Sequence, residues 1–368
     1  MTASLRKPDV PLRVLIAAPV HMVGGQAHAA RAIAAGFERD PEIRATLQPI
    51  DPRLGGRLSL LTDTKILRSI IRPLLYLRQL WTAARKSEVL HVFGAAHTAF
   101  FFGAVPAIVV GRLLGRPVLL NYHDGRASEH FRLWGPLLRW LLRRVDLIVV
   151  PSGYLQEEFA RHGFESLVVP NVVDTHAFSF HESSAIPQRL IGLRALEPLY
   201  AVENSVLAFS ILKPAYPRLV LDVYGSGPEE PSLRALARQL RLEDVHFHGT
   251  IEHARMPEVL APGGIVVNSS RVDNQPLFVL EAFASGVPVV STAAGGIPWM
   301  IRDGENGLLA QVDDPPALAH QVRRLLENPA LSRSIVAAGR KDLERYTWPM
   351  VREQWVEIYR SVERRRAT

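Results

Sequence analysis

The stretch RVDNQPLFVLEAFASG, residues 271–286, carries two carboxylates eight positions apart, Asp273 and Glu281, on either side of Pro276. Starting a helix takes one capping side chain, so two acids and the polar pair Asn274-Gln275 exceed what folding needs. In a chain with 36 Asp+Glu the spacing also arises by chance, and the context has to carry the argument. GIVVNSS before it reads as a strand, RVDNQP as an exposed turn without an apolar anchor, and LFVLEAFASG as a helix whose amide end faces back over the turn. An acid in the first turns of such a helix can bind the vicinal hydroxyls of a ribose. That is the role expected of Glu281, with Asp273 over another part of the same ligand. A further strand and the glycine pair Gly295-Gly296 follow in VPVVSTAAGGIPWMI.

Four other places have residue types suited to an anionic or hydroxyl-bearing ligand. In PVHMVGGQAHAARAIAAGF, Gly24 and Gly25 stand between a strand and a helix. There unobstructed backbone amides suit a diphosphate, or simply make a tight turn. His123 ends the strand of NYHDGRASEHF, the position where α/β sheets bind ligands; the plain alternative is a surface histidine bonded to its own loop. Arg194 follows the strand-like LIGL and offers a planar fork to phosphate oxygens, unless it merely pairs with Glu197. Gly225 and Gly227 in VYGSGPEEPSLRAL repeat the strand–glycine–helix arrangement, although Pro228 and two glutamates also make an ordinary helix start.

The elements that would position these residues alternate along the whole chain. RVLIAAP, EVLHVFG, PVLLNYHD, LIVVPS and SLVVPN read as strands of the first half. LIGLRAL, RLVLDVYG, VHFHGT, GIVVNSS, VPVVST and GLLA read as strands of the second. Strand–helix alternation predicts parallel sheets. The expected fold is α/β, two Rossmann-like doubly wound domains with a ligand cleft between them. Their expected extents are 1–175 and 188–345, joined by a polar linker around 171–190. The amphipathic tail helix, 347–366, is expected to pack back on the first domain.

At 368 residues the chain favours two domains over one. There is no cysteine, which excludes disulfides and thiolate metal sites and fits a reducing cytoplasm. The first twenty residues lack the long apolar region of a signal peptide. Residues 1–170 carry 22 Lys+Arg against 13 Asp+Glu, +9, and the remainder 21 against 23, −2, which sum to the net +7. A basic first half could face nucleic acid, an anionic membrane or a phosphorylated acceptor. Val89 to Gly111 contains no charged residue and is long enough to span a bilayer. Its β-like start, VLHVFG, and the strand that follows instead predict a buried βαβ unit.

Together these pieces resemble the retaining glycosyltransferases of family 4, with the GT-B fold, over nearly the whole chain. The resemblance rests on the N-terminal glycine pair, DLIVVPSGYLQEEFARHGFESLVVPNVVD, and Asp273-x7-Glu281 within NQPLFVLEAFASGVPVVSTAAGGIP. DGENGLLA and the terminal TWPMVREQWVEIY also match. It implies transfer of a sugar from a nucleotide-diphosphate donor, with no metal or other cofactor. By resemblance, Gly25 lies against the donor diphosphate, His123 near the transferred sugar, and Arg194 on the diphosphate. Asp273, with backbone amides from Asn274, Gln275, Pro276, Leu277 and Phe278, meets the sugar and phosphate, and Glu281 binds the ribose. Two positions depart from the family pattern: Leu199 stands where a second diphosphate-binding lysine is usual, and Asp273 where glutamate is common.

The resulting expectation is a cytoplasmic, metal-independent hexosyltransferase acting with retention, a UDP-sugar being the first donor and a GDP-sugar the second. Its acceptor would be a glycan or a lipid-linked molecule in cell-envelope polysaccharide or glycolipid synthesis, and no nucleic acid is involved. A nucleotide-sugar-binding protein without turnover and a sugar-nucleotide epimerase of the same fold are the alternatives. FRLWGPLLRWLLRR, residues 131–144, and residues 64–86 further predict peripheral contact with an anionic membrane. In the first of these, Phe131, Leu138, Leu141 and Leu142 interleave with Arg132, Arg139, Arg143 and Arg144, and Trp134 and Trp140 lie among them.

Overall fold

The computed structural model describes residues 10–21, 24–52, 65–180 and 187–367, the side chains of 65–70 and 365–367 excepted. The chain divides into two units, Met1–Val172 with Trp348–Thr368, and Val173–Thr347.

Unit 1 runs β1 (Leu12–Ala18), α1 (Gly25–Gly36), β2 (Ile43–Pro49), α2 (Lys65–Ala84) and β3 (Val89–Gly94). A π-helical stretch, Phe100–Ala104, then leads into α3 (Val105–Leu113), followed by β4 (Val118–Tyr122), α4 (Ala127–Leu142), β5 (Leu147–Val150), α5 (Gly153–Arg161) and β6 (Leu167–Val168). The sheet is parallel, in the order β2-β1-β3-β4-β5-β6. Every residue of β3 and β4 is buried, which is why those strands are unbroken apolar runs. The sequence reading omits β2. Its segment, IRATLQP, lies at the sheet edge and is only partly buried, so it lacks the apolar run that marks its neighbours.

Unit 2 runs β7 (Arg189–Leu193), α6 (Val202–Leu212), β8 (Val220–Tyr224), α7 (Glu230–Gln239), β9 (Val245–Gly249) and α8 (Met256–Leu260). It continues with β10 (Ile265–Asn268), α9 (Leu277–Ser285), β11 (Val289–Thr292), β12 (Leu308–Ala310), α10 (Pro315–Glu327) and α11 (Pro329–Asp342). This second parallel sheet has the order β12-β11-β10-β7-β8-β9. The strand order reverses between β7 and β10, and the carboxyl ends of strands at such a reversal form a crevice.

The last helix, α12 (Trp348–Ala367), belongs to unit 1. Val351, Trp355, Tyr359 and Val362 pack with Val14, Ile16 and Phe93. Arg352 reaches Asp40 at 2.6 Å and Glu42 at 3.1 Å. Among the described residues no helix is long and apolar enough to cross a membrane. The uncharged stretch from Val89 divides into β3, the π-helical stretch and α3.

Candidate functional site

Unit 2 brings most of the sequence candidates together at its strand reversal. Arg194 directly follows β7, and Asp273 lies just beyond β10. The loop between is held by a ladder of small polar side chains at the carboxyl ends of β10 and β11. Asn268 Nδ2 donates to Ser291 Oγ at 2.9 Å, and Ser270 Oγ donates to Asn268 Oδ1 at 2.7 Å. Thr292 Oγ1 donates to the Ser270 carbonyl at 2.6 Å. With this support Asp273, Asn274 and Gln275 are buried, at 9%, 5% and 8% exposure. The turn expected to be exposed is therefore part of the interior, because the ladder and not an apolar anchor pins it.

Arg194 Nη2 lies 3.1 Å from Asp273 Oδ2. The guanidinium stacks 3.7 Å over the Tyr200 ring and 5.5 Å from Phe278. Its ion-pair partner is thus Asp273 and not Glu197. Asp273 also accepts from Ser270 Oγ at 3.4 Å and from the Asn274 amide at 3.0 Å. Burial raises the Asp273 pKa above the usual carboxylate value, although Arg194 and these donors pull the other way. Arg194 Nε is buried with no hydrogen-bond partner among the described residues. A buried N–H left unpaired is costly, and the oxygen of an anion would satisfy it.

Two glycine seams hold this arrangement. A Cβ on Gly225 would overlap the Arg194 carbonyl, and one on Gly227 the Leu196 carbonyl. Gly225 and Gly227 therefore bring the β8 loop against the Arg194 loop, a packing role distinct from the open phosphate cradle their spacing predicts. A Cβ on Gly295 would overlap the Asp273 carbonyl, and one on Gly296 the Asn274 carbonyl. The pair after β11 presses directly on the acid loop.

Glu281, the fifth residue of α9, is buried at 2% exposure, with Oε1 2.5 Å from His253 Nε2. His253 is no candidate from sequence, since it sits in a short turn after β9 and matches no motif spacing. Pro276 occupies the N-cap of α9, where no side chain caps the helix. Having no N–H, it cannot supply one of the expected amides. The uncapped end consists of the Leu277 and Phe278 amides, which carry the helix's partial positive charge. The Leu199 carbonyl accepts the Arg271 amide at 2.9 Å. Arg271 does not replace the missing lysine: its guanidinium is held by Asp313, Glu203 and the Pro198 carbonyl, each at 2.8 Å.

In unit 1, α1 begins at Gly25 with Gly24 as an N-cap at φ 156° and no side-chain cap. A Cβ on either glycine would meet nothing within 4 Å among the described residues, so this backbone is open to close approach. His123 directly follows β4, donates its amide to the Gly94 carbonyl at 3.0 Å, and stacks on Phe93 with ring centroids 5.0 Å apart. Burial pushes its pKa down to about 3. At neutral pH it is therefore an uncharged hydrogen-bonding group and not a cation. Among the described residues no group of three or more His, Asp or Glu side chains could hold a metal ion.

Two family models match in succession: Glycosyltransferase Family 4 over residues 24–177 and Glycosyl transferases group 1 over residues 180–342. The chain belongs to these GT-B glycosyltransferases. The glycosyltransferase is 26% identical to the glycogen synthase of Mycobacterium tuberculosis over 80% of its own length and 74% of that protein. It is 26% identical to the sulfoquinovosyl transferase SQD2 of Arabidopsis thaliana, over 72% and 54% of the two chains. It is 30% identical to the exopolysaccharide phosphotransferase SCO2592 of Streptomyces coelicolor over 60% of its length, but spans only 24% of that relative. Its fold matches Anabaena Alr3699/HepE, whose structure holds UDP and glucose, with TM-score 0.76 at 18% identity over 95% of this chain and all of that one. It also matches sucrose-phosphate synthase from Thermosynechococcus elongatus, with TM-score 0.75 at 19% identity over 96% and 99%.

Proposed function

We propose that this glycosyltransferase moves a hexose from a UDP-sugar, or less favourably a GDP-sugar, to a glycan or lipid-linked acceptor, with retention and without a metal ion. The observation that carries the reading is the buried Nε of Arg194, without a partner among the described residues, near the end of α9 that no side chain caps. A diphosphate satisfies both, and Glu281 then lies within α9 for the ribose. The UDP and glucose held by HepE support the choice of donor.

In the step itself the bond from the anomeric carbon to the diphosphate oxygen breaks, and its electron pair leaves with UDP. Arg194 and the helix amides offset the charge that develops there. The acceptor hydroxyl oxygen bonds to the same face of the sugar and passes its proton to the departing phosphate oxygen. Front-side displacement fits Asp273, whose carboxylate is taken up by Arg194, Ser270 and the Asn274 amide and is poorly placed as a nucleophile. Neutral His123 is assigned a hydrogen bond to a sugar hydroxyl. Incubation with a panel of UDP- and GDP-sugars tests the reading: UDP release with a matching sugar supports it. Binding without release would make the chain a binding protein, and an altered sugar still joined to its nucleotide would make it an epimerase.

Of the residues the membrane expectation names in α4, Trp134 and Trp140 are exposed and the four aliphatic and phenyl side chains are not. Phe131, Leu138, Leu141 and Leu142 are core residues, at 1–3% exposure. The exposed apolar residues of α4 are Leu133, Trp134, Leu137 and Trp140, at 56%, 39%, 43% and 52%. They share the helix surface with exposed Arg132, and Arg144 stacks 3.4 Å over Trp140. In the other basic segment, residue 64 and the side chains of 65–70 lie outside the described residues. We assign α4 to an anionic lipid surface; co-sedimentation with phosphatidylglycerol vesicles at low salt tests it, and no pelleting with the vesicles would end it.

A further inference from the structure

A second concave surface lies on the edge of the unit 1 sheet. A groove of about 770 Å³ runs between the outward face of β1 and β2 and one face of α2. Its floor is Leu15, Gln48, Leu75, Ala83 and Ser87, and four cations line it: Arg13, Arg44, Arg78 and Lys86. Among the described residues no acidic side chain is in the lining. Arg13 is held by Glu88 at 3.4 Å, but among the described residues no ion pair holds Arg44, Arg78 or Lys86. Arg13 and Arg44 are register partners on neighbouring parallel strands, so two like charges stand side by side on one face. Side-by-side like charges destabilise a sheet. Glu88 offsets the charge of Arg13, but among the described residues nothing offsets Arg44, Arg78 or Lys86, and an anion in the groove would.

We propose that this groove binds an extended acidic oligosaccharide, the part of the acceptor chain remote from the reacting hydroxyl. Its size is that of pockets that enclose ligands of a few sugar rings. Thr46 and the Gln79 amide nitrogen supply donors for hydroxyls; the Gln48, Thr82 and Ser87 donors are spent on Pro49, Arg78 and Ala83 carbonyls, leaving their oxygens to accept. Leu75 and Ala83 offer apolar surface for ring faces, and the four cations meet carboxylates or phosphates. Among the described residues the lining contains no aromatic side chain, and so none of the stacking platforms that hold single-stranded nucleic acid. Nor does it include Leu74 or Leu77, the exposed apolar residues of the same helix, at 61% and 40%, which a lipid surface would engage. The groove's role as an acceptor site rests on the proposed glycosyl transfer; its affinity for an acidic glycan does not.

The experiment titrates the full chain with tetragalacturonate, with neutral maltotetraose and with UDP, in low salt by calorimetry. Tetragalacturonate is expected to bind and to weaken as salt rises, and maltotetraose to bind at least tenfold more weakly. Arg44→Gln with Arg78→Gln, both exposed, should lower tetragalacturonate affinity roughly tenfold and leave UDP affinity and the melting temperature unchanged. Lys86→Gln provides an independent variant with a smaller loss. Equal binding of the two oligosaccharides, or unchanged tetragalacturonate binding in both variants, overturns the proposal. So does tighter capture of a twelve-nucleotide single strand or of phosphatidylglycerol vesicles that these substitutions abolish. If tetragalacturonate binds and UDP does not, the donor reading falls while the groove stands; the reverse result removes the groove alone.

Discussion

Arg194 and Asp273 form a largely buried ion pair across 3.1 Å, joining the segments that follow two adjacent strands of the unit 2 sheet. Removing one partner of such a pair leaves an uncompensated charge, at a cost of about 3–5 kcal/mol. Arg194→Ala should therefore lower the unfolding free energy by about that amount in denaturant titrations. Arg194→Lys keeps a charge but loses the fork and the stack on Tyr200. It should bind UDP roughly tenfold more weakly and uridine as before. Equal UDP affinity in calorimetry would take Arg194 off the diphosphate.

The two glycine pairs should respond oppositely to alanine. Gly296→Ala forces the Asn274 carbonyl to move, and overpacking of this kind costs about 1–3 kcal/mol. Melting temperature and donor turnover should fall together. Gly25→Ala adds a methyl in open space at a helix start, so the melting temperature should hold. A drop in donor affinity in that variant would then report direct contact with ligand.

Glu281→Ala should weaken UDP and the intact donor alike, roughly ten- to hundredfold, if the carboxylate accepts from ribose hydroxyls. Asp273→Ala is expected to leave uridine binding near its original value and to reduce turnover, since its carboxylate acts on Arg194 and the transferred sugar. Calorimetry with uridine and UDP, together with initial rates, separates the two. Identical uridine losses in both variants would refute a ligand gripped at two ends.

His253 carries a prediction of its own. It is the partner at 2.5 Å from an otherwise buried carboxylate, so His253→Ala strands Glu281. The expected cost is about 1–3 kcal/mol of stability, read by chemical denaturation. The double variant with Glu281→Gln should recover most of it, because the buried charge is gone.

Asp222 sets a pH dependence. Burial works to raise its pKa, but hydrogen bonds from His248 at 2.7 Å and Arg189 at 2.6 Å outweigh it and hold the carboxyl below its usual value. Its folded-state pKa being lower than the unfolded one, its stabilisation is complete above about pH 4 and is lost as pH falls through the depressed value. Asp222→Asn should flatten the acid limb of stability below about pH 4 and cost about 1.5–3 kcal/mol at pH 7. An unchanged acid limb would show that the carboxylate contributes nothing.

What was legible in the sequence follows from where each interaction is made. The inner strands of unit 2 stand out because a parallel strand buried on both faces is a short apolar run; β9, a half-wet edge, shows only as the alternation of Val245 and Phe247 with histidines, and β2 escapes as an edge with one half-wet face. Arg194 and Glu281 are recognisable from their places beside strand and helix ends. Their partners are not: Arg194 meets Asp273 instead of its near neighbour Glu197, and Glu281 meets His253. Both contacts arise from the order in which strands enter the sheet. The burial of Asp273 to Gln275 is equally hidden, since it depends on Ser270, Ser291 and Thr292 acting from two strand ends at once. Polar residues closing otherwise apolar strands, NSS and ST, were the available signal.

The return of α12 to unit 1 has a consequence for synthesis. Unit 2 is one uninterrupted piece of chain, Val173–Thr347, whereas unit 1 is split around it. During translation unit 2 emerges ahead of α12, and unit 1 lacks Trp355 and Tyr359, at 1% and 0% exposure in the folded chain, until α12 follows. Until the final helix emerges, the nascent first unit displays an apolar seam along Val14, Ile16 and Phe93 that chaperones can bind. Deleting Trp348–Ala367 should therefore leave a folded, protease-resistant second unit joined to a first unit that trypsin cuts.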